Sequence, residues 1–154
     1  MVALIQRVLH ASVRVENECI ARIEQGMLVF IGVEHNDNTV QAEKLAHKLL
    51  NYRIFADEAG RMNLSVQAIG GQVLLVPQFT LVANTTKGMR PGFSAAAEPK
   101  KGLELFTRLI DIMRRQAQQS TPPLAGEWLQ SGQFGADMAV ELLNDGPVSF
   151  YFRL

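Results

Sequence analysis

Val2-Ala3-Leu4-Ile5-Gln6-Arg7-Val8-Leu9, followed two residues later by Ser12-Val13-Arg14-Val15, mixes apolar and polar positions with a period near two and is rich in valine. That alternation suits a strand in a half-buried sheet, because successive side chains leave opposite faces. Cys19 to Ile23 and Met27 to Val33 continue the series, with Asn17 and Gly26 where tight turns would fall. The predicted start of the chain is an antiparallel meander of short strands.

Beyond it the period changes. Asn38 followed three positions later by Gln41 has the form of a capping box, and Ala42, Leu45, Ala46 and Leu49 then recur at helical spacing, which predicts a helix over about 39–52. Glu43, Lys44, His47 and Lys48 would face solvent. Asp57 to Gly60 has the composition of a turn, and Gly70-Gly71 introduces Val73 to Val76, a β-branched apolar run expected of a buried strand. A second helix is predicted from Pro99, with Leu103, Phe106, Leu109, Ile110 and Met113 on its inner face and a stop at Pro122-Pro123. Strand-like sequence returns at Met138 to Leu143 and at Val148 to Phe152, where Phe150, Tyr151 and Phe152 put aromatics on both faces of the last strand. The expected architecture is a single α+β domain over residues 1–154, a mainly antiparallel sheet or open β-barrel with two principal helices packed on it.

Composition narrows the function classes. A chain of 154 residues with 47% apolar and 19% charged residues buries roughly two-thirds of its unfolded surface in one domain. The single cysteine, Cys19, forms no internal bridge, and no charged leader with an apolar stretch precedes the first strand, so a reducing, cytoplasmic setting is expected. No apolar run approaches the roughly 20 residues a membrane helix needs. Basic and acidic residues balance at 15 each, which argues against a protein that coats nucleic acid. Local basic groups, Lys87 with Arg90 and Lys100, Lys101, Arg108, Arg114 and Arg115, leave room for a small phosphate contact or an ordinary solvated surface.

The usual catalytic signatures are absent: there is no Gly-x-Ser-x-Gly elbow, His-Glu-x-x-His helix, P-loop or Gly-x-Gly-x-x-Gly motif. His10, His35 and His47 have no metal-ligand spacing, so neither a metal nor a cofactor is expected. Cys19, inside a predicted strand, reads as a buried inert thiol. Two polar strand ends remain. Gln78-Phe79-Thr80 closes an apolar strand with an amide, a ring and a hydroxyl. It is either a place where backbone N–H groups meet a reacting carbonyl or an ordinary strand end with a packed Phe. Asn144-Asp145-Gly146-Pro147-Val148-Ser149 is accounted for by hairpin structure alone, and residue types do not fix the isomer of its proline bond.

Taken together these segments resemble the D-aminoacyl-tRNA deacylase family over essentially the whole chain. The resemblance is carried by Gln6-Arg7-Val8, Ala11-Ser12-Val13, Arg53-Ile54-Phe55, Asn63-Leu64-Ser65, Gln78-Phe79-Thr80-Leu81, Lys87-Gly88 with Arg90-Pro91, Phe134-Gly135-Ala136-Asp137-Met138 and Asn144-Asp145-Gly146-Pro147-Val148. Two positions depart from the family's Ser-Gln-Phe-Thr and Gly-Pro-Val-Thr: Pro77, which lacks a hydroxyl and an N–H, and Ser149, which keeps the hydroxyl.

The resemblance implies an editing hydrolase acting on the acceptor end of D-aminoacyl-tRNA and also on glycyl esters. In such a homodimer, a cis Gly146-Pro147 enters the partner's active site, steadied by Arg7. Its main-chain carbonyls would face the substrate's α-amino group and its backbone would fill the space an L side chain needs. The Phe79 and Thr80 N–H groups would hold the oxyanion, with Gln78 and the Phe79 ring shaping the pocket for the terminal adenosine. A simple esterase using Thr80 as nucleophile, and a noncatalytic RNA-binding or dimeric scaffold protein, are the competing readings. No base is signalled beside Thr80, which disfavours the first.

Overall fold

The structure, a computed structural model, describes every residue except Lys87, Thr121, Pro122, Pro123 and Ala125, so the expected stop at Pro122-Pro123 lies outside the described residues. The opening segment is one continuous strand, β1 (Val2–Val15), rather than two. Glu16 and Asn17, both at positive φ, form a two-residue turn into β2 (Glu18–Ile23), the backbone combination whose twist matches a tight hairpin. β2 pairs with the second half of β1, and β3 (Gly26–Gly32) pairs with the first half. No meander forms, because β1 is long enough to hold both partners on one edge. Cys19 is exposed near the start of β2, correcting the buried reading: the β1–β2 register slips between Val13 and Arg14 and re-aims the following side chains.

After β3 comes α1 (Thr39–Asn51), then β4 (Phe55–Ala56), β5 (Met62–Leu64) and β6 (Gln72–Pro77). The capping box forms: the Val40 N–H donates to Asn38 Oδ1 at 2.8 Å, and the Asn38 N–H donates to Gln41 Oε1 at 3.1 Å. A 3-10 turn (Phe79–Val82), α2 (Pro99–Gln118), β7 (Leu129–Ser131) and β8 (Ala139–Arg153) complete the chain. The strand–helix–strand connections make β3–β6 and β6–β7 parallel, so the sheet is mixed, in the order β2-β1-β3-β6-β7, with β8 on the free edge of β1. It curls until β2 approaches β6 and β7, giving a nearly closed barrel.

Two cores result. Met27, Val29, Ile31, Val73 and Leu75 face α1 and α2, while Leu28, Leu74 and Val76 join Val8, Val13 and Ile23 inside the curl. Burial of both faces is why β3 and β6 read as unbroken apolar runs rather than alternating ones. On α2 the buried face is Gly102, Leu105, Phe106, Leu109, Ile112, Met113 and Ala117. Leu103, expected inside, is 48% exposed; α2 turns Gly102 and Phe106 inward instead, where Phe134 packs on them. No helix among the described residues is long and apolar enough to cross a membrane.

The last strand is also continuous. Phe150 and Phe152 turn inward to meet the Tyr52 ring edge-on, at 5.3 and 4.7 Å between centroids, and Tyr151 points out. Asn144 to Ser149 is not a hairpin: both flanks stay on β1, with Gln6 opposite Ser149 and Val8 opposite Asn144, so Arg7 alone faces Asp145 to Val148.

Candidate active site

The end of β6 is held on one side by the Gln78 N–H, which donates to the Ile31 carbonyl at 2.7 Å. The chain then tightens into the 3-10 turn, where the Leu81 N–H donates to the Gln78 carbonyl at 3.3 Å and the Ala83 N–H to the Thr80 carbonyl at 3.1 Å. In such a turn the first donors have no acceptor of their own. Here those are the Phe79 and Thr80 N–H groups. Gly32 lets the turn sit this close to β3, since a Cβ there would lie 2.8 Å from Val82 Cγ1 and 3.3 Å from the Gln78 carbonyl oxygen.

Gln78 Nε2 donates to Thr80 Oγ1 at 2.5 Å, so the hydroxyl's near neighbour is an amide and not a base. The Phe79 ring is 62% exposed and lies 5.1 Å from the Phe93 ring. Beside it opens a cavity of about 320 Å³ walled by Pro77, Gln78, Phe79, Ala97, Phe106 and Phe134, within the range of small-ligand pockets, roughly 300–1,000 Å³. Phe134 rests on Gly102, where a Cβ would come within 3.0 Å of its ring. Sequence reasoning gave no role to Phe93, Phe134, Gly102 or Gly32. The available signal for the first two was an aromatic in a glycine-bearing loop, where a core residue is not expected.

The second group is built on the β1–β8 interruption. The Gly146-Pro147 peptide is cis and Gly146 has φ +122°; both residues are exposed. Arg7 Nε lies 2.9 Å from Asp145 Oδ2 and donates to the Asp145 carbonyl at 3.3 Å, while Nη1 donates to the Ile54 carbonyl at 2.7 Å. Asn144 closes the bulge, accepting the Val148 N–H at 3.1 Å and donating to Ser149 Oγ at 3.2 Å. Ser149 thus uses its hydroxyl. Within one chain the two groups stay apart: no residue from Asp145 to Val148 lines the cavity beside Phe79.

Of the basic residues, Lys87 lies outside the described residues, Lys101 donates to the His35 carbonyl at 2.6 Å, and Arg90, Lys100, Arg108, Arg114 and Arg115 are exposed. No three of the described His, Cys, Asp and Glu residues gather as a metal site would require. The carboxylate with a resolved shift, Asp57, is held below its ordinary range chiefly by the Arg61 backbone N–H; it braces the turn between β4 and β5, outside the cavity lining.

A family model described as D-Tyr-tRNA(Tyr) deacylase matches residues 4–153. A D-aminoacyl-tRNA deacylase of Shewanella frigidimarina (strain NCIMB 400) is 51% identical over 154 residues, all of both chains. That of Chromohalobacter salexigens is 53% identical over 150 residues, 97% of each. Among solved structures, a c-Myc DNA Unwinding Element Binding Protein superposes with a TM-score of 0.91 at 33% identity, covering 100% of this chain and 99% of that one. A probable eukaryotic D-amino acid tRNA deacylase shares the fold, with a TM-score of 0.81 at 18% identity over 98% of this chain and 97% of that one. The chain is a hydrolase by class. It belongs to the D-aminoacyl-tRNA deacylase family.

Proposed function

We propose that this protein hydrolyses the ester between a D-amino acid, or glycine, and the terminal ribose of tRNA, working as a cytoplasmic homodimer without metal or cofactor. The observation that carries the reading is the pairing of two acceptor-free N–H groups, those of Phe79 and Thr80, with an aromatic-walled cavity that begins at the same residues.

An ester carbonyl seated at the turn would accept from both donors, and the charge that gathers on its oxygen during attack by water would be met by dipoles already in place. Loss of one such donor typically costs about 10²–10³ in kcat. The terminal base would occupy the cavity, stacking on exposed aromatic rings as single-stranded bases commonly do. Water adds to the carbonyl carbon, the tetrahedral intermediate expels the ribose oxygen, and the proton returns to that oxygen, releasing free amino acid and tRNA.

Selectivity is assigned to Gly146 and Pro147 of the second copy. Their exposure, and their absence from the lining of their own chain's cavity, fit a segment that completes a neighbour's site. Rigid main chain placed against the α-carbon would leave room for hydrogen or a D side chain and collide with an L one, rejection by steric conflict rather than by tighter binding. Arg7 would keep that segment in place through Asp145.

The test uses purified protein with matched D-tyrosyl- and L-tyrosyl-tRNA. Release of D-tyrosine with the L ester left intact is expected. Equal release of both, or binding without release of either, would overturn the reading in favour of a general esterase or a noncatalytic binder respectively.

A further inference from the structure

The ladder between β6 and β7 stops one rung before the cavity. In this parallel pair the Val73 N–H donates to the Trp128 carbonyl at 2.7 Å and the Gly132 N–H to the Leu75 carbonyl at 2.8 Å, with Leu75 opposite Ser131. A parallel ladder repeats every two residues, so the next rung would run from the N–H of residue 77 to the Gly132 carbonyl. Residue 77 is proline and has no N–H. Its Cδ lies against Gly132, 3.6 Å from where a Cβ would stand. On its other edge β6 remains paired, through the Gln78 N–H on Ile31. The following rung, from the Phe134 N–H to the Pro77 carbonyl, is not formed either. The chain instead turns at once, with the Ala136 N–H donating to the Gln133 carbonyl at 3.4 Å.

The segment released is a wall of the cavity: Phe134 and Gly135 line it together with Gln78 and Phe79. Without the two rungs it is held by side chains, with Phe134 on Gly102 and Phe106 of α2 and Met138 over Gly132. Side-chain packing fixes position less firmly than a main-chain ladder, and local opening is easiest where such bonds are missing.

We propose that Pro77 is a positioning residue that acts through Gly132: by withholding the last rung of β6–β7 it leaves the Phe134 wall, packed in place here on Gly102 and Phe106, free to open and to close again on the occupant. The inference rests on the reading of the cavity as the seat of the substrate's terminal base, but part of its test does not. A wall that must first be gathered in lowers apparent affinity by the fraction of time it spends in place, and affects chemistry little once the ligand is bound. Pro77 therefore bears on KM rather than on kcat.

The experiment compares Pro77→Ala and Pro77→Ser with the unaltered protein; both restore the N–H, and the serine alone adds a hydroxyl. Amide exchange without any ligand reads the rung directly. The new residue-77 amide should be protected in both variants, and the Phe134 amide should exchange about tenfold more slowly than in the parent. Adenosine 5′-monophosphate should bind both variants about threefold to tenfold more tightly, and KM for D-tyrosyl-tRNA should fall by a similar factor, a larger change than any in kcat. Unchanged exchange at Phe134, or a KM that moves in Pro77→Ser alone, would overturn the proposal, the second by placing the effect in the hydroxyl. Slowed exchange with no nucleotide binding would uphold the wall but remove its assignment to a base, a failure of the functional reading instead.

Discussion

The Arg7 guanidinium and the Asp145 carboxylate stand 2.9 Å apart across the place where one residue of β1 faces four of β8. The same side chain, 14% exposed, reaches the Ile54 carbonyl from another nitrogen. It therefore joins the bulge to the segment after α1 with a fork that a lysine, a single point charge, does not reproduce. Arg7→Ala should cost about 1–3 kcal/mol, the usual range when hydrogen bonds to a charged group are lost. Arg7→Lys should recover less than half of that. Urea denaturation of the three proteins measures it, and a loss under about 0.5 kcal/mol for the alanine variant, the scale of an ordinary surface change, would show that the bulge holds itself.

Gly146 admits no side chain for two separate reasons. Its φ of +122° is a conformation L residues rarely adopt, and a Cβ would lie 2.7 Å from Val148 Cγ2 and 3.1 Å from Arg7 Nη2. Gly146→Ala should lower stability by about 1–3 kcal/mol and displace Arg7, which a crystal structure of the variant would reveal as a lengthened Arg7–Asp145 contact. Unchanged geometry and stability would mean that the backbone here is more compliant than its φ indicates.

Much of this was legible in the chain itself, and the failures have physical causes. The capping box at Asn38 and Gln41, the proline start of α2, and the apolar run at Val73 each followed from a local rule, and each formed. β1 looked like two strands because His10 and Ala11 interrupt the alternation. In the structure they fall beside a register slip opposite β8, which strand pairing absorbs. The parallel pairs were missed although strand, helix, strand, helix, strand in that order calls for crossovers. Leu103 was placed inside because glycine carries no apolar signal, yet Gly102 is buried to seat Phe134. The cavity joins β6, α2 and the Phe134 loop, separated widely in sequence, so its outline was not readable from any one of them.

Leu143 and Tyr151, half exposed on β8, flank the exposed Gly146-Pro147. Large apolar side chains exposed on either side of that segment are suited to burial against a second copy, and a two-fold contact would give two equivalent sites. Light scattering should report twice the chain mass, and Tyr151→Glu should shift the protein towards monomer with a parallel loss of deacylation. A monomer with full activity would overturn the proposed cross-subunit filter.

Asp57 gathers the turn between β4 and β5: its Oδ1 accepts the Ala59 and Arg61 N–H groups at 2.9 Å each, and its Oδ2 accepts from Asn63 at 3.2 Å. Its pKa is held down, first by the Arg61 backbone N–H. A carboxylate depressed on folding contributes stability that is present above the unfolded value, about 3.9, and is lost as pH falls through the lower folded value. The turn should therefore stay intact at pH 5 and loosen only below about pH 4. Titration of the Asp57 carboxyl by NMR checks it, with a midpoint above about 4 as the contrary result.

Thr80 is expected not to attack the ester. A threonine hydroxyl is a weak nucleophile until a neighbouring base takes its proton, and the partner found here is the Gln78 amide, which donates to Thr80 Oγ1 at 2.5 Å. An amide N–H aimed at the oxygen occupies a lone pair and withdraws charge, the opposite of activation. Of the histidines, His35 meets the Ala95 carbonyl, His47 meets Asn51, and His10 is paired with neither Thr80 nor Gln78. The substrate supplies an alternative: the vicinal 2′-hydroxyl of the terminal ribose is already held beside the ester, and such preorganisation can lower a barrier by several kcal/mol, up to about 7–11 in the best oriented cases. The protein then has to hold the ester and present the Phe79 and Thr80 N–H groups, which a side-chain truncation leaves in place. Thr80→Ala should keep deacylation within about tenfold of the parent, about 1.4 kcal/mol in barrier. D-tyrosyl-tRNA ending in 2′-deoxyadenosine should bind normally and react at least about a hundredfold more slowly. Single-turnover kinetics separates binding from chemistry in both arms. Abolished turnover in Thr80→Ala together with an unaffected rate on the deoxy substrate would make Thr80 the nucleophile and require a base brought to it by the second copy.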